Sequence, residues 1–147
     1  MTEPAQAVTG WKGGWYVVPY QVMFRDVDAF GHVNNAVYLT LFELARTHLW
    51  FDIAGGSLPT DISFIVARAE IDFLKQLGME PVSVCVRVGE MRTTSFDTHY
   101  EIRRDNGGEI AATGKVVVVL FDWEKQSKKP ISDAIRKRVA ALQLTEV

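Results

Sequence analysis

The chain has 147 residues, a net charge of −2, 48% apolar residues and 23% charged residues, the size and composition of one folded soluble domain with a real core. The charge balance offers no basic stripe for nucleic acid, and no run approaches the roughly 18 consecutive apolar residues of a membrane span. The opening MTEPAQAVTG has neither a basic n-region nor an apolar h-region, which argues against a secretory signal. The single cysteine, Cys85, cannot form an internal disulfide, so the expected location is the reducing cytoplasm.

Residues 1–15 read as a loosely ordered N-terminal extension and 16–147 as a single domain without repeat, low-complexity tract or linker. Residues 16–25 are β-rich, and Pro19 suggests an edge or early position in a strand. The turn Asp26-Val27-Asp28-Ala29-Phe30-Gly31-His32 leads into a helix over about 35–54. Asn34 or Asn35 can cap its first turn, and Gly55-Gly56 ends it. Val37, Tyr38, Leu41, Phe42, Ala45, Leu49 and Ile53 form a broad apolar stripe, widened by Leu39, Leu44, Trp50 and Phe51. A helix this apolar is buried on most sides. Glu43 and Arg46 form an i,i+3 pair read as structural.

Strand patterns follow. Ile65, Ala67, Ala69, Ile71 and Phe73 alternate with Val66, Arg68, Glu70 and Asp72, predicting one dry and one charged face. Residues 82–91 alternate again, and Cys85 among them reads as an unreactive strand cysteine. Phe96, Thr98, Tyr100 and Ile102 alternate with Asp97, His99, Glu101 and Arg103. Asp105-Asn106-Gly107-Gly108 is a hairpin signal. Residues 110–121, with Val116-Val117-Val118-Val119-Leu120, look apolar on both faces and hence central or interface-facing. A last amphipathic helix spans 130–142, with Ile131, Ile135, Val139 and Leu142 on one side. The expected fold is α+β: a strand, a long buried helix, four strands in meander and a short helix, with an antiparallel sheet curled around the long helix.

Asp28 stands just before that helix. A helix N-terminus offers unpaired amides and roughly half a positive charge, suited to a developing oxyanion. A carboxylate beside it could attack a thioester carbonyl or deprotonate water. The residues alone leave open whether Asp26 or Asp28 merely caps the turn. No metal or cofactor is expected. Asp26 and Asp28 offer too few oxygens for a hard cation, and His32, His48 and His99 lack zinc-site spacing. There is no G-x-S-x-G, G-x-G-x-x-G or P-loop.

The run Phe24-Arg25-Asp26-Val27-Asp28-Ala29-Phe30-Gly31-His32-Val33-Asn34-Asn35-Ala36-Val37-Tyr38, continuing to Phe42-Glu43-Leu44-Ala45-Arg46, resembles the signature of the 4-hydroxybenzoyl-CoA thioesterase-like hotdog family. It is also similar to the motif of acyl-ACP thioesterases. Weaker likeness extends through 68–73, 92–96 and 129–131. The resemblance implies a hotdog fold and hydrolysis of an acyl-CoA, with a small, medium-chain or aromatic acyl group. It implies Asp28 as catalytic carboxylate and the backbone amide near Asn35 as polariser of the thioester carbonyl. Some relatives carry a histidine where this chain has Asn35, so the mechanism rests here on Asp28. Arg92, Thr93, Thr94 and Ser95 match the turn that binds the CoA moiety, with Lys125, Lys128 and Lys129 as a second cationic group. Glu43 matches the helix carboxylate that some hotdog thioesterases use. A homodimer or homotetramer is implied, with the site between subunits. Phe30, Tyr38, Phe42 and Phe64 are read either as pocket wall or as core. Two other readings stay open on the same fold. A hydratase or dehydratase pairs its Asp with a His five residues on, whereas His32 follows Asp28 by four. A non-catalytic acyl-CoA-binding module is the other.

Overall fold

The alternating segments become one sheet. The computed structural model describes residues 8–55, 63–105 and 108–144. It contains β1 (Gly10–Lys12), β2 (Trp15–Gln21), α1 (Asn35–Ile53), β3 (Phe64–Phe73), β4 (Pro81–Met91), β5 (Ser95–Arg104), β6 (Ile110–Asp122), β7 (Ser127–Lys128) and α2 (Asp133–Leu144). Every strand pair is antiparallel, in the order β1-β2-β4-β5-β6-β3, with β7 beside the end of β6. β1 lies within the stretch read as an extension, Gly10 opposite Val17 and Lys12 opposite Trp15. Among the described residues no helix is long and apolar enough to cross a membrane.

The α+β architecture is the expected one, with a correction to its connectivity. The four later strands do not run as a meander. β2 takes the outer edge of β4, from Gln21 opposite Pro81 to Tyr16 opposite Val86. β3 instead pairs with the far edge of β6, from Phe73 opposite Ala112 to Phe64 opposite Leu120. Its register shifts between Val66 and Arg68, as at a bulge. The link 74–80 must therefore cross the end of the sheet. It is tied down where Leu74 N and Lys75 N donate to Ala111 O at 2.9 and 3.0 Å, and where Val22 N donates to Glu80 O at 3.0 Å.

α1 buries Tyr38, Leu41, Phe42, Ala45, Leu49, Trp50 and Ile53 in one cluster with sheet residues such as Val84, Val86, Phe96, Ile102, Val116 and Val118. Each large side chain so enclosed contributes about 1.5–3 kcal/mol. Gly55 ends the helix with φ 82, and its amide donates to Asp52 O at 3.0 Å; Gly56 lies outside the described residues, as do Asn106 and Gly107 of the hairpin turn. Leu39 and Phe51, expected to widen the buried stripe, stay 45% and 40% exposed on the outer side of the helix.

Two further expectations are corrected, and one left open is decided. The Glu43–Arg46 pair does not form. Arg46 shares the inward stripe of Phe42, Leu49 and Trp50, is itself buried, and donates to Tyr100 Oη at 2.9 Å, while Glu43 faces out. Phe42 and Phe64 are packing residues: Phe42 stacks on Tyr100 at 4.2 Å, and Phe64 meets Trp50 and Phe96. The face of β3 expected to be dry is not dry in the single chain: Ile65, Ala67, Ala69 and Phe73 are exposed and Ile71 is half-buried.

Two outcomes follow from the core. A Cβ at Gly114 would collide with the Phe42 ring and lie 3.0 Å from Glu70 O. Gly114→Ala is expected to cost about 1–3 kcal/mol by overpacking, seen as a lower denaturant midpoint at unchanged slope. An unchanged midpoint would show that the ring yields freely. Cys85 is fully buried, and burial pushes its thiol up to about 11. It stays protonated at mildly alkaline pH, so iodoacetamide is expected to modify it only after unfolding; labelling of the native protein at the rate of a free thiol would contradict this.

Candidate active site

The two aspartates of the Asp26-x-Asp28 pair do different work. Asp26 is 7% exposed. Its Oδ2 accepts hydrogen bonds from Tyr20 Oη at 2.6 Å and Met23 N at 2.9 Å, and its carbonyl accepts from Asn34 N at 2.9 Å. It fastens the end of β2 to the start of α1. Asp28 is exposed. Its Oδ1 accepts from Phe30 N at 2.9 Å and His32 N at 3.4 Å, a turn-capping geometry, while Oδ2 has no partner among the described residues. Its backbone closes the same turn, with Asp28 N donating to His32 O at 2.8 Å and Gly31 N to Asp28 O at 3.0 Å. Gly31 holds φ 79, a left-handed conformation that a side chain would strain.

The helix starts directly after this turn. Asn34 is the N-cap: its Oδ1 accepts from Ala36 N at 3.0 Å and its carbonyl from Val37 N at 2.9 Å. The amide of Asn35 has no acceptor among the described residues. It is left at the positive end of a 19-residue helix, ready for an incoming oxygen.

Asp28 and Asn35 border one cavity of about 500 Å³, together with Phe30, His32, Tyr38 and the segment 73–76. The cap and the free carboxylate oxygen thus coexist, since the cap uses one oxygen only. Phe30 and Tyr38 are pocket wall, unlike Phe42 and Phe64. The structure does not bring the Arg92 turn to this cavity within one chain. That turn joins β4 to β5 at the opposite end of the sheet, because β4 starts beside the Asp28 loop and ends at Met91. Arg92 there donates to Asp97 at 2.8 Å and Ser95 Oγ at 3.2 Å. Thr93 O accepts from Ile131 N at 2.8 Å and Thr94 O from Leu120 N at 2.9 Å. Lys125 and Lys128 lie at the same far end, around β7. Glu43 is on the exposed side of α1 and does not line the cavity.

The segment 73–76 went unnoticed in the sequence. Its Leu74-Lys75-Gln76 carries no local signal, because its position depends on β3 crossing to β6. Val33 N donates to Leu77 O at 2.8 Å, so this link also props the Asp28 loop. His48 is exposed on α1 and His99 packs beside Gly89. Among the described residues no three His, Cys, Asp or Glu are grouped to hold a metal ion.

Known proteins share this fold. The sequence pattern of the thioesterase-like superfamily matches residues 22–139. The chain is 30% identical over 112 residues to the uncharacterized protein YsmA of Bacillus subtilis strain 168, covering 76% of this chain and 74% of that one. A thioesterase of Thermus thermophilus, solved in complex with coenzyme A and zinc, is 34% identical with a TM-score of 0.74, over 88% of this chain and 95% of that one. A thioesterase-superfamily protein from Jannaschia sp. CCS1 is 27% identical with a TM-score of 0.80, over 90% and 87%. The sheet wrapped on α1 is the hotdog fold of these proteins. The chain thus belongs to the thioesterase-like superfamily and is a thioester hydrolase.

Proposed function

We propose that the protein hydrolyses acyl-CoA at the Asp28–Asn35 site. The observation that carries this reading is a carboxylate oxygen and a first-turn amide, both without a partner among the described residues, in one cavity. The thioester carbonyl oxygen accepts from Asn35 N, and the α1 dipole stabilises the negative charge that builds there. The Asp28 carboxylate then adds to the carbonyl carbon, giving an anhydride that water opens, or takes a proton from a water that adds. In both routes the C–S bond breaks, the acid and the thiol leave, and no cofactor is consumed. Single turnover in isotopically labelled water tests the anhydride route, since label enters the Asp28 carboxylate only when water opens an anhydride at the Asp28 carbonyl.

A second copy of the chain completes this picture. β3 is an open edge bearing exposed Ile65, Val66 and Phe73, and such edges are sites of strand pairing. Two β3 strands joined antiparallel about a twofold axis set the Phe64 end of one against the Phe73 end of the other. The Arg92 turn lies at the Phe64 end, through Ser95 opposite Val119, and Asp28 at the Phe73 end. Edge pairing would therefore carry the Arg92 turn of one copy toward the Asp28 cavity of the other, where its guanidinium can meet CoA phosphate. A cytoplasmic setting suits the free thiol of Cys85.

Asp28→Asn is expected to lower kcat for acyl-CoA hydrolysis by about 100-fold or more with little change in KM, at an unchanged thermal midpoint. If wild type and variant release thiol at one background rate across short, medium, long and aryl acyl-CoAs, the hydrolase reading is wrong. Arg92→Ala is expected to lower kcat/KM for acyl-CoA by about tenfold while sparing acyl-N-acetylcysteamine thioesters, which lack phosphate. Equal losses on both would remove Arg92 from CoA binding.

A further inference from the structure

Every carbonyl of the turn 92–95 already has a donor. Arg92 O accepts from Arg136 Nη2, Thr93 O from Ile131 N at 2.8 Å, Thr94 O from Leu120 N at 2.9 Å, and Ser95 O from Arg92 N at 2.8 Å. In a trans peptide unit the N–H points opposite to the C=O. Turning the Arg92 and Thr93 carbonyls toward Arg136 and Ile131 therefore turns the Thr93 and Thr94 amides away from them. Neither amide has an acceptor among the described residues. Thr93 is exposed and Thr94 half-buried. The turn thus offers donors while its acceptors are occupied, an arrangement that suits an anion.

Positive charge at this turn is divided unequally. Arg92 donates to Asp97 Oδ1 at 2.8 Å and lies 3.5 Å from Glu90, so two carboxylates already share its charge. Arg136 forms no ion pair with a described carboxylate. Its bond to Arg92 O fixes the guanidinium beside the turn and uses one of five N–H groups. The helix that carries it is docked firmly. Ile131 and Val139 are buried, and Ser132 Oγ accepts from Ile135 N at 3.2 Å. At the other end of α2 the Gln143 side chain accepts from Val88 N at 2.6 Å and donates to Val88 O at 3.1 Å. A half-buried guanidinium held this way loses little freedom on meeting a ligand.

We propose that Arg136 is a phosphate-binding residue of the CoA subsite, adding to Arg92 a second guanidinium beside the Thr93 and Thr94 amides. The inference rests on the acyl-CoA hydrolase reading but is tested by binding, without turnover. Calorimetry on the Asp28→Asn protein compares hexanoyl-CoA with hexanoyl-pantetheine, which has the same thioester arm and no nucleotide. The pair is repeated with Arg136→Met or Arg136→Lys added. Arg136→Met is expected to weaken hexanoyl-CoA binding by about tenfold and to leave hexanoyl-pantetheine unchanged. It is also expected to flatten the rise of Kd with salt, since one charge fewer meets phosphate. Arg136→Lys keeps the charge and loses the fork, so it is expected to retain the salt dependence and recover part of the affinity. Hexanoyl-CoA affinity untouched by Arg136→Met overturns the proposal. So does an equal loss for both ligands, or a loss with unchanged salt dependence, which would make Arg136 a support of the turn only. If hexanoyl-CoA binds as expected but the wild type releases thiol from no thioester, the hydrolase reading alone is overturned.

Discussion

Asp26 accepts hydrogen bonds from Tyr20 and Met23 through its carboxylate and from Asn34 through its carbonyl, and the site inherits its shape from these three bonds. They join the end of β2 to the residue just before α1, so the chain between them has little freedom left. Once Asn34 is fixed, its side chain caps Ala36, and the first-turn amide left without an acceptor among the described residues is that of Asn35. Once the ends of the 27–33 segment are fixed, with Val27 bridged to Val33, Asp28 can close on Phe30 and His32 and still keep an oxygen free. Burial of the Asp26 charge is tolerated because hydrogen bonds satisfy it. Its loss would unfasten the loop without touching the Asp28 carboxylate.

Much of this was readable in advance because it is local. The Asn34 cap, the glycine at position 31 and the carboxylate one turn before the helix all lie within a dozen residues, where hydrogen-bonding chemistry dictates conformation. The apolar stripe of α1 demanded a wrapping sheet, and Phe96, Thr98, Tyr100 and Ile102 supplied its inner face. The family signature covered the same stretch. Which of the two aspartates would be buried was a different matter, since Tyr20 Oη reaches Asp26 only after β2 and the loop have folded.

What stayed illegible depends on partners distant in sequence. The pattern of β3 reads as one dry face, but nothing within 64–73 says that its neighbour is β6 and not β4. That choice follows from β2 having occupied β4, and it alone carries Lys75 and Gln76 to the cavity. Arg46 shows the same limit on a smaller scale. An i,i+3 carboxylate suggested a surface pair, yet the helix phase set by Phe42, Leu49 and Trp50 turned the guanidinium inward to Tyr100. Packing over the whole stripe outweighs one solvent-exposed ion pair, worth at most about 1 kcal/mol.

The single chain leaves Asp28 and Phe30 open to water, and Phe30 is 86% exposed. A carboxylate and a helix dipole in water stabilise a developing oxyanion far less than the same groups in a dry site, because the effective dielectric falls when water is excluded. Several exposed features lie on this side: the open edge of β3, the exposed Phe73 and Leu74, and the ring of Phe30. An element laid along β3 would cover the first two and narrow the cavity mouth at the third. The edge that needs a partner for its backbone groups and the site that needs one for its dielectric are therefore neighbours, and one association would serve both. On the proposed reading, pairing at β3 would be part of the chemistry of Asp28 as much as of the stability of the sheet.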